Sequence, residues 1–139
     1  MSVDSQAVLT YFRSMNLITS ADAAIFDVPD THVIAYAAPS RGSTELCLWR
    51  INIRPGSTSP LHHMDCEEVF LCVAGRAEVV TSAEQRPVEA GDCLVLPAGT
   101  DFSFRVLGDE PFLALACIRA GGKATMAASA DTFVPPWAA

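Results

Sequence analysis

Residues 54–75, RPGSTSPLHHMDCEEVFLCVAG, decide how the rest of the chain is read. They hold two of the three histidines, an adjacent pair of glutamates and two of the five cysteines. Pro55-Gly56 is a turn signal, and a Ser/Thr/Pro-rich loop runs on to His62. On an extended strand His62 and Met64 project to one face, about 7 Å apart, while His63 projects to the other. Beyond a tight connection at Asp65-Cys66, Glu68, Phe70 and Cys72 share one face of a second strand, and Val69, Leu71 and Val73 share the other, until Gly75 permits the next turn. An imidazole, a thioether and a carboxylate therefore converge from neighbouring strands. Imidazole with carboxylate is either a set of metal ligands or an acid–base pair.

Upstream, residues 46–54 alternate, with Trp49, Ile51 and Ile53 on one face to pack a sheet interface and Arg50, Asn52 and Arg54 on the other. That polar face is either solvated or supplies Arg50 and Asn52 to a ligand pocket. Residues 31–38 read as a strand carrying His32, a structural or exposed histidine, and residues 21–30 as a connection. Val8, Tyr11, Phe12, Met15 and Ile18 recur at helical spacing, which predicts a short helix over 5–18 packing on the body of the fold or on a partner subunit.

Downstream, residues 76–82 are expected to return as the second strand of a hairpin after Gly75. Residues 93–96 form a short buried strand, Phe102, Phe104 and Val106 line one face of the next, and Gly108-Asp109-Glu110-Pro111 turns the chain into a strand over 112–119. Short strands at regular spacing, separated by Gly/Pro/Asp turns, point to an all-β sandwich or barrel. Gly121-Gly122 ends it, and Phe133 and Trp137, costly to leave in water, anchor the tail to the barrel or to a neighbour.

A length of 139 residues suits one core, and half the residues are apolar, enough for a filled barrel and a buried dimer face. The net charge of −7, without a basic cluster, argues against nucleic acid and acidic membranes as partners. Five cysteines with no CxxC pair are expected to be reduced thiols in a cytoplasmic protein, and no apolar run is long enough to span a bilayer.

Two glycine-anchored frames resemble the cupin motifs. Gly56, five residues, His62-His63-Met64, three residues, Glu68, six residues and Gly75 match the first; Gly91, five residues, Pro97-Ala98-Gly99, two residues and Phe102 match the second. The resemblance covers about residues 44–119 and implies a cupin jelly-roll β-barrel over 31–120, an N-terminal extension over 1–30, a tail over 121–139 and a homodimer. In metal-dependent cupins the ligands are the two histidines and glutamate of the first motif and the histidine of the second. Those positions here are His62, Met64, Glu68 and Phe102. Met64 is a soft thioether and Phe102 offers no lone pair, so only His62 and Glu68 suit a hard or borderline ion.

The reading this favours is a pocket without a cofactor, in which His62 and Glu68 do acid–base chemistry of the isomerase, cyclase or lyase type on a small, largely apolar molecule. Met64, Phe70, Cys72, Phe102 and Phe104, with Arg50 and Asn52, would contact that molecule, with Asp101 and Cys72 as helpers. Burial should raise the Glu68 pKa and let His62 share its proton. The bland counterpart has His62 and Glu68 bonded to each other in a satisfied core. One alternative keeps a divalent transition metal (Fe, Mn, Ni or Zn) on His62 and Glu68, joined by His63 or Asp101, for dioxygenase chemistry, or copper on His62, Met64 and Cys72. Another is a non-catalytic ligand-binding or sensor protein. His63 and Glu67 are expected to point outward.

Overall fold

The computed structural model describes residues 14–139. Twelve strands follow in chain order: β1 (Ala24–Val28), β2 (Thr31–Ala37), β3 (Leu46–Ile53), β4 (His62–Met64), β5 (Glu68–Ala74), β6 (Arg76–Val80), β7 (Gln85–Glu89), β8 (Cys93–Leu96), β9 (Ser103–Leu107), β10 (Phe112–Arg119), β11 (Ala124–Met126) and β12 (Thr132–Phe133). One layer is a six-stranded antiparallel sheet ordered β1-β2-β3-β10-β5-β8. Facing it are two three-stranded sheets, β12-β11-β4 and β7-β6-β9, joined by the bridges Thr58↔Arg105 and His62↔Phe102. The non-sequential order, with β10 between β3 and β5, is that of a jelly roll. The expected cupin architecture is there, as two facing layers and not as a ring closed by hydrogen bonds among the described residues.

Alternation fills the space between the layers. Trp49, Ile51 and Ile53 of β3, Phe112, Ala114, Ala116 and Ile118 of β10, and Phe70 of β5 point inward, meeting Val79, Phe104 and Val106 of the opposite layer. Phe70, Phe102, Phe104 and Phe112 form a chain of edge-on and tilted rings with centroids 5.0 to 5.8 Å apart, the geometry that aromatic quadrupoles favour.

Two sequence expectations are corrected, and a third falls mostly outside the described residues. Residues 21–30 are not simply a connection: β1 pairs with β2 through a turn at Pro29-Asp30, where Asp30 takes a φ of 60°, a conformation Asp tolerates better than most residues. Residues 76–80 do not return on β5. One residue is too few to reverse the chain, so at Gly75 it bends and crosses to the facing sheet, where β6 pairs with β7 and β9. The helix expected over 5–18 lies mostly outside the described residues, and 14–18 are not helical. There the Asn16 side chain donates to the Arg41 carbonyl at 2.8 Å, holding this segment against the turn Pro39–Arg41. No described helix is long and apolar enough to cross a membrane.

Gly75 has a φ of 74°, and a Cβ there would sit 2.1 Å from the Pro111 carbonyl oxygen. Gly56 has a similar φ of 76° with open space around it. In chemical denaturation Gly56→Ala should cost about 1–2 kcal/mol, the left-handed penalty alone, and Gly75→Ala about 2 kcal/mol more from the added clash. Equal losses at the two positions would show that the Gly75 corner is not sterically closed.

Candidate functional site

A cavity of about 360 Å³ opens between the layers, small for a ligand pocket, which typically measures about 300–1,000 Å³. The inward face of β3 gives it Trp49, Ile51 and Ile53; β4 gives His62 and Met64; β5 gives Glu68 and Phe70; Phe102 and Phe104 close the opposite wall. The tail adds Phe133, Pro135, Pro136 and Trp137. The ionisable side chains in this wall are His62 and Glu68.

Glu68 is 3% exposed, and its Oε1 has no hydrogen-bond partner among the described residues. Burial pushes its carboxyl up to about 8, so at neutral pH it is largely the uncharged acid. His62 is placed by reciprocal backbone bonds with Phe102, N to O at 3.2 Å and O from N at 2.9 Å, and its ring tilts over the Phe102 ring at 4.7 Å. Its Nδ1 lies 2.8 Å from the Pro60 carbonyl. A carbonyl only accepts, so Nδ1 carries the proton and Nε2 keeps the lone pair. Burial pushes the imidazole below its ordinary value, partly opposed by the Pro60 bond. The two groups are therefore neutral together, one an acid and the other a base.

This differs from the expected shared proton, because His62 is bonded to Pro60 and not to Glu68. Nor does a bond between the two groups, as the bland alternative has it, occur among the described residues. Met64, Phe70, Phe102 and Phe104 line the cavity as expected. Cys72 does not: farther along β5, its thiol lies 3.8 and 3.7 Å from the carbonyls of Ala74 and Gly75, as their donor. Arg50 and Asn52 do not either, because the inward face of β3 is the apolar one and alternation turns both outward. His63 and Asp101 leave the cavity to pair with each other at 2.8 Å. His32 pairs with Asp27 on the β1–β2 hairpin, and Glu67 is exposed. The signals missed in the sequence were the Trp49-Ile51-Ile53 face, assigned to sheet packing alone, and the tail aromatics.

The donor chemistry does not fit a divalent metal. At the four positions aligned with cupin ligands, Met64 supplies a thioether and Phe102 a hydrocarbon ring, leaving one imidazole and one carboxyl. His63 is held away by Asp101, and Cys72 lies outside the cavity, so neither completes a set. Among the described residues no three His, Cys, Asp or Glu side chains group as a metal site.

A family model described as cupin domain matches residues 49–118. No curated protein matches the chain in sequence. Among solved structures the chain is similar to the 7S globulin of Momordica charantia, with 23% identity and a TM-score of 0.67 over 77% of this chain, although it spans only 36% of that protein. It is similar to the polyketide cyclase RemF of Streptomyces resistomycificus, with 16% identity and a TM-score of 0.67 over 78% of this chain and 84% of that one. It also resembles KdgF of a Halomonas species, with 19% identity and a TM-score of 0.63 over 73% of this chain and 92% of that one.

The ionisation states set a pH dependence of stability. Glu68 has a folded pKa raised from 4.5 to about 8, so its contribution is complete below 4.5 and is lost as pH rises through 8. His62, lowered from 6.5, contributes above 6.5 and loses that as pH falls. Between 6.5 and 8 the Glu68 slope therefore stands alone. There stability should fall by about 1.4 kcal/mol per pH unit, and Glu68→Gln should flatten the fall, read by urea denaturation at a series of pH values. An unchanged slope in Glu68→Gln would show that Glu68 is ionised in the folded protein.

Proposed function

The chain belongs to the cupin family, and within it we propose a metal-independent acid–base enzyme of the isomerase, cyclase or lyase type, acting on a small, largely apolar molecule with a carbonyl group. The names carried by its structural neighbours span unrelated activities on one fold, so the fold does not choose among them. The observation that carries the reading is the buried Glu68 carboxyl, its Oε1 without a partner among the described residues, in the same apolar cavity as an imidazole whose Nε2 takes no hydrogen bond from those residues.

In the step these groups support, His62 Nε2 removes a proton from the carbon next to the carbonyl while the Glu68 acid gives its proton to the carbonyl oxygen. The C–H electron pair becomes the enol double bond, and no charge is left uncompensated in the cavity. Returning a proton to another carbon isomerises the substrate. Attack of the enol carbon on a second carbonyl closes a ring, and loss of a leaving group makes the step a lyase reaction. The apolar wall keeps water away and preserves the uncharged acid.

A homodimer belongs to the same proposal. Leu48, Leu71, Val73 and Val95 are exposed on the outward side of the six-stranded sheet, an apolar surface that a second copy would cover. Light scattering should give twice the chain mass, and Leu71→Glu should give a monomer. A monomeric unaltered chain would remove this part.

The chemistry is tested by deuterium exchange from heavy water into the carbon beside the carbonyl of acetylnaphthalene, followed by NMR. His62→Ala and Glu68→Gln should each slow exchange by about a hundredfold or more, while His63→Ala should leave it unchanged. Exchange should weaken below pH 6.5 as His62 takes a proton and above about pH 8 as Glu68 loses one. Full exchange in His62→Ala would remove the base assignment. Binding without exchange in the unaltered chain would favour a non-catalytic ligand-binding role.

A further inference from the structure

The chain leading to His62 runs antiparallel along β9 with one residue more than the pairing needs. The Val106 N–H donates to the Ser57 carbonyl at 3.0 Å, Thr58 bridges Arg105, and the Ser59 N–H donates to the Phe104 carbonyl at 2.8 Å. Farther on, His62 bridges Phe102. From Phe104 to Phe102 the chain takes two steps, but from Ser59 to His62 it takes three. Pro60 and Leu61 therefore stand together opposite Ser103, which is a β-bulge. Proline suits that place, having no N–H to lose from the ladder. The extra residue decides where His62 points. Ser59 and His62 both line the cavity, whereas unbroken alternation from Ser59 would bring Leu61 inward and turn His62 out.

The ladder breaks at Ser59 in a particular way. In a regular pair the Phe104 N–H would donate to the Ser59 backbone carbonyl; here it donates to the Ser59 hydroxyl oxygen at 2.8 Å. The side chain stands in for the backbone, and the peptide after Ser59 is released to bulge. The Pro60 carbonyl then comes to 2.8 Å from His62 Nδ1. Resting on the acid–base reading of the same cavity, we infer that Ser59 is a positioning residue for His62: by accepting the Phe104 N–H on its hydroxyl it holds the bulge at Pro60-Leu61, which turns the imidazole into the cavity and fixes its proton on Nδ1. Without that hydroxyl, the N–H of buried Phe104 regains an acceptor only through the Ser59 carbonyl. That pull straightens the segment and draws Pro60 away from the ring.

Nitrogen NMR of the full chain labelled at its histidine rings, at about pH 7.5 where the imidazole is neutral, tests this, with His62 assigned by its loss in His62→Ala. The unaltered chain should show a protonated Nδ1 and a bare Nε2. Ser59→Ala should show two averaged nitrogens, the mark of mixed tautomers, and should slow deuterium uptake by acetylnaphthalene about tenfold. Ser59→Thr, which keeps the hydroxyl, should restore both. A Ser59→Ala ring still protonated on Nδ1 alone overturns the positioning role and leaves the acid–base reading standing. A tautomer lost in Ser59→Ala, beside an unaltered chain that catalyses no deuterium uptake, overturns the acid–base reading alone. Should Ser59→Ala not fold, the Phe104 amide of the unaltered chain decides: it should exchange with solvent at least about a hundredfold slower than a free amide, and exchange at the free rate overturns the inference.

Discussion

The constraint on which the site depends is the burial of the Glu68 carboxyl in a wall that offers it nothing. A carboxylate so placed would cost several kcal/mol, and protonation avoids that cost, at the price of a pKa near 8. The wall produces this state through Met64 and Phe102, which stand where the cupin resemblance places two further metal ligands. A bound cation there would favour the charged form; thioether and hydrocarbon favour the neutral one. The same substitutions dry the space around His62 and lower its basicity, while the Pro60 carbonyl fixes which nitrogen remains free. One change of surroundings thus turns a metal cradle into an acid and a base of matched neutrality, the separation of roles that proton-transfer sites use.

The jelly roll makes this placement rigid. His62 stands on a three-residue strand locked by β11 on one side and by its bridge to Phe102 on the other, and Glu68 opens β5 within the six-stranded sheet. They come from facing layers, so their approach is set by layer spacing and not by local turn geometry. Gly75 bends the chain from one layer to the other against Pro111, which lets a single run of sequence serve both.

Much of this was legible in the residues. Alternation on β3, β5 and β9 and the glycine-anchored frames located the sheets, and the His62–Met64–Glu68–Phe102 set located the cavity. What escaped had physical reasons. Alternation gives two faces without saying which is inside, so Arg50 and Asn52 were candidates until the packing of Trp49, Ile51 and Ile53 excluded them. Sharing a face does not fix depth along a strand, and Cys72 falls past the end of the cavity. The hydrogen bond of His62 to Pro60, not to Glu68, depends on a loop conformation that spacing does not encode. The tail's aromatics announced burial by composition, but the surface receiving them, around Ser40, Cys47 and Phe26, is brought together only by the fold.

The central claim is that Glu68 is an uncharged acid at neutral pH. Carbon-detected NMR of the protein labelled at glutamate side chains, with Glu68 assigned by its loss in Glu68→Gln, reads that directly. The Glu68 carboxyl should stay protonated at neutral pH and titrate at about 8. A Glu68 resonance already at its carboxylate shift at pH 6 would contradict it.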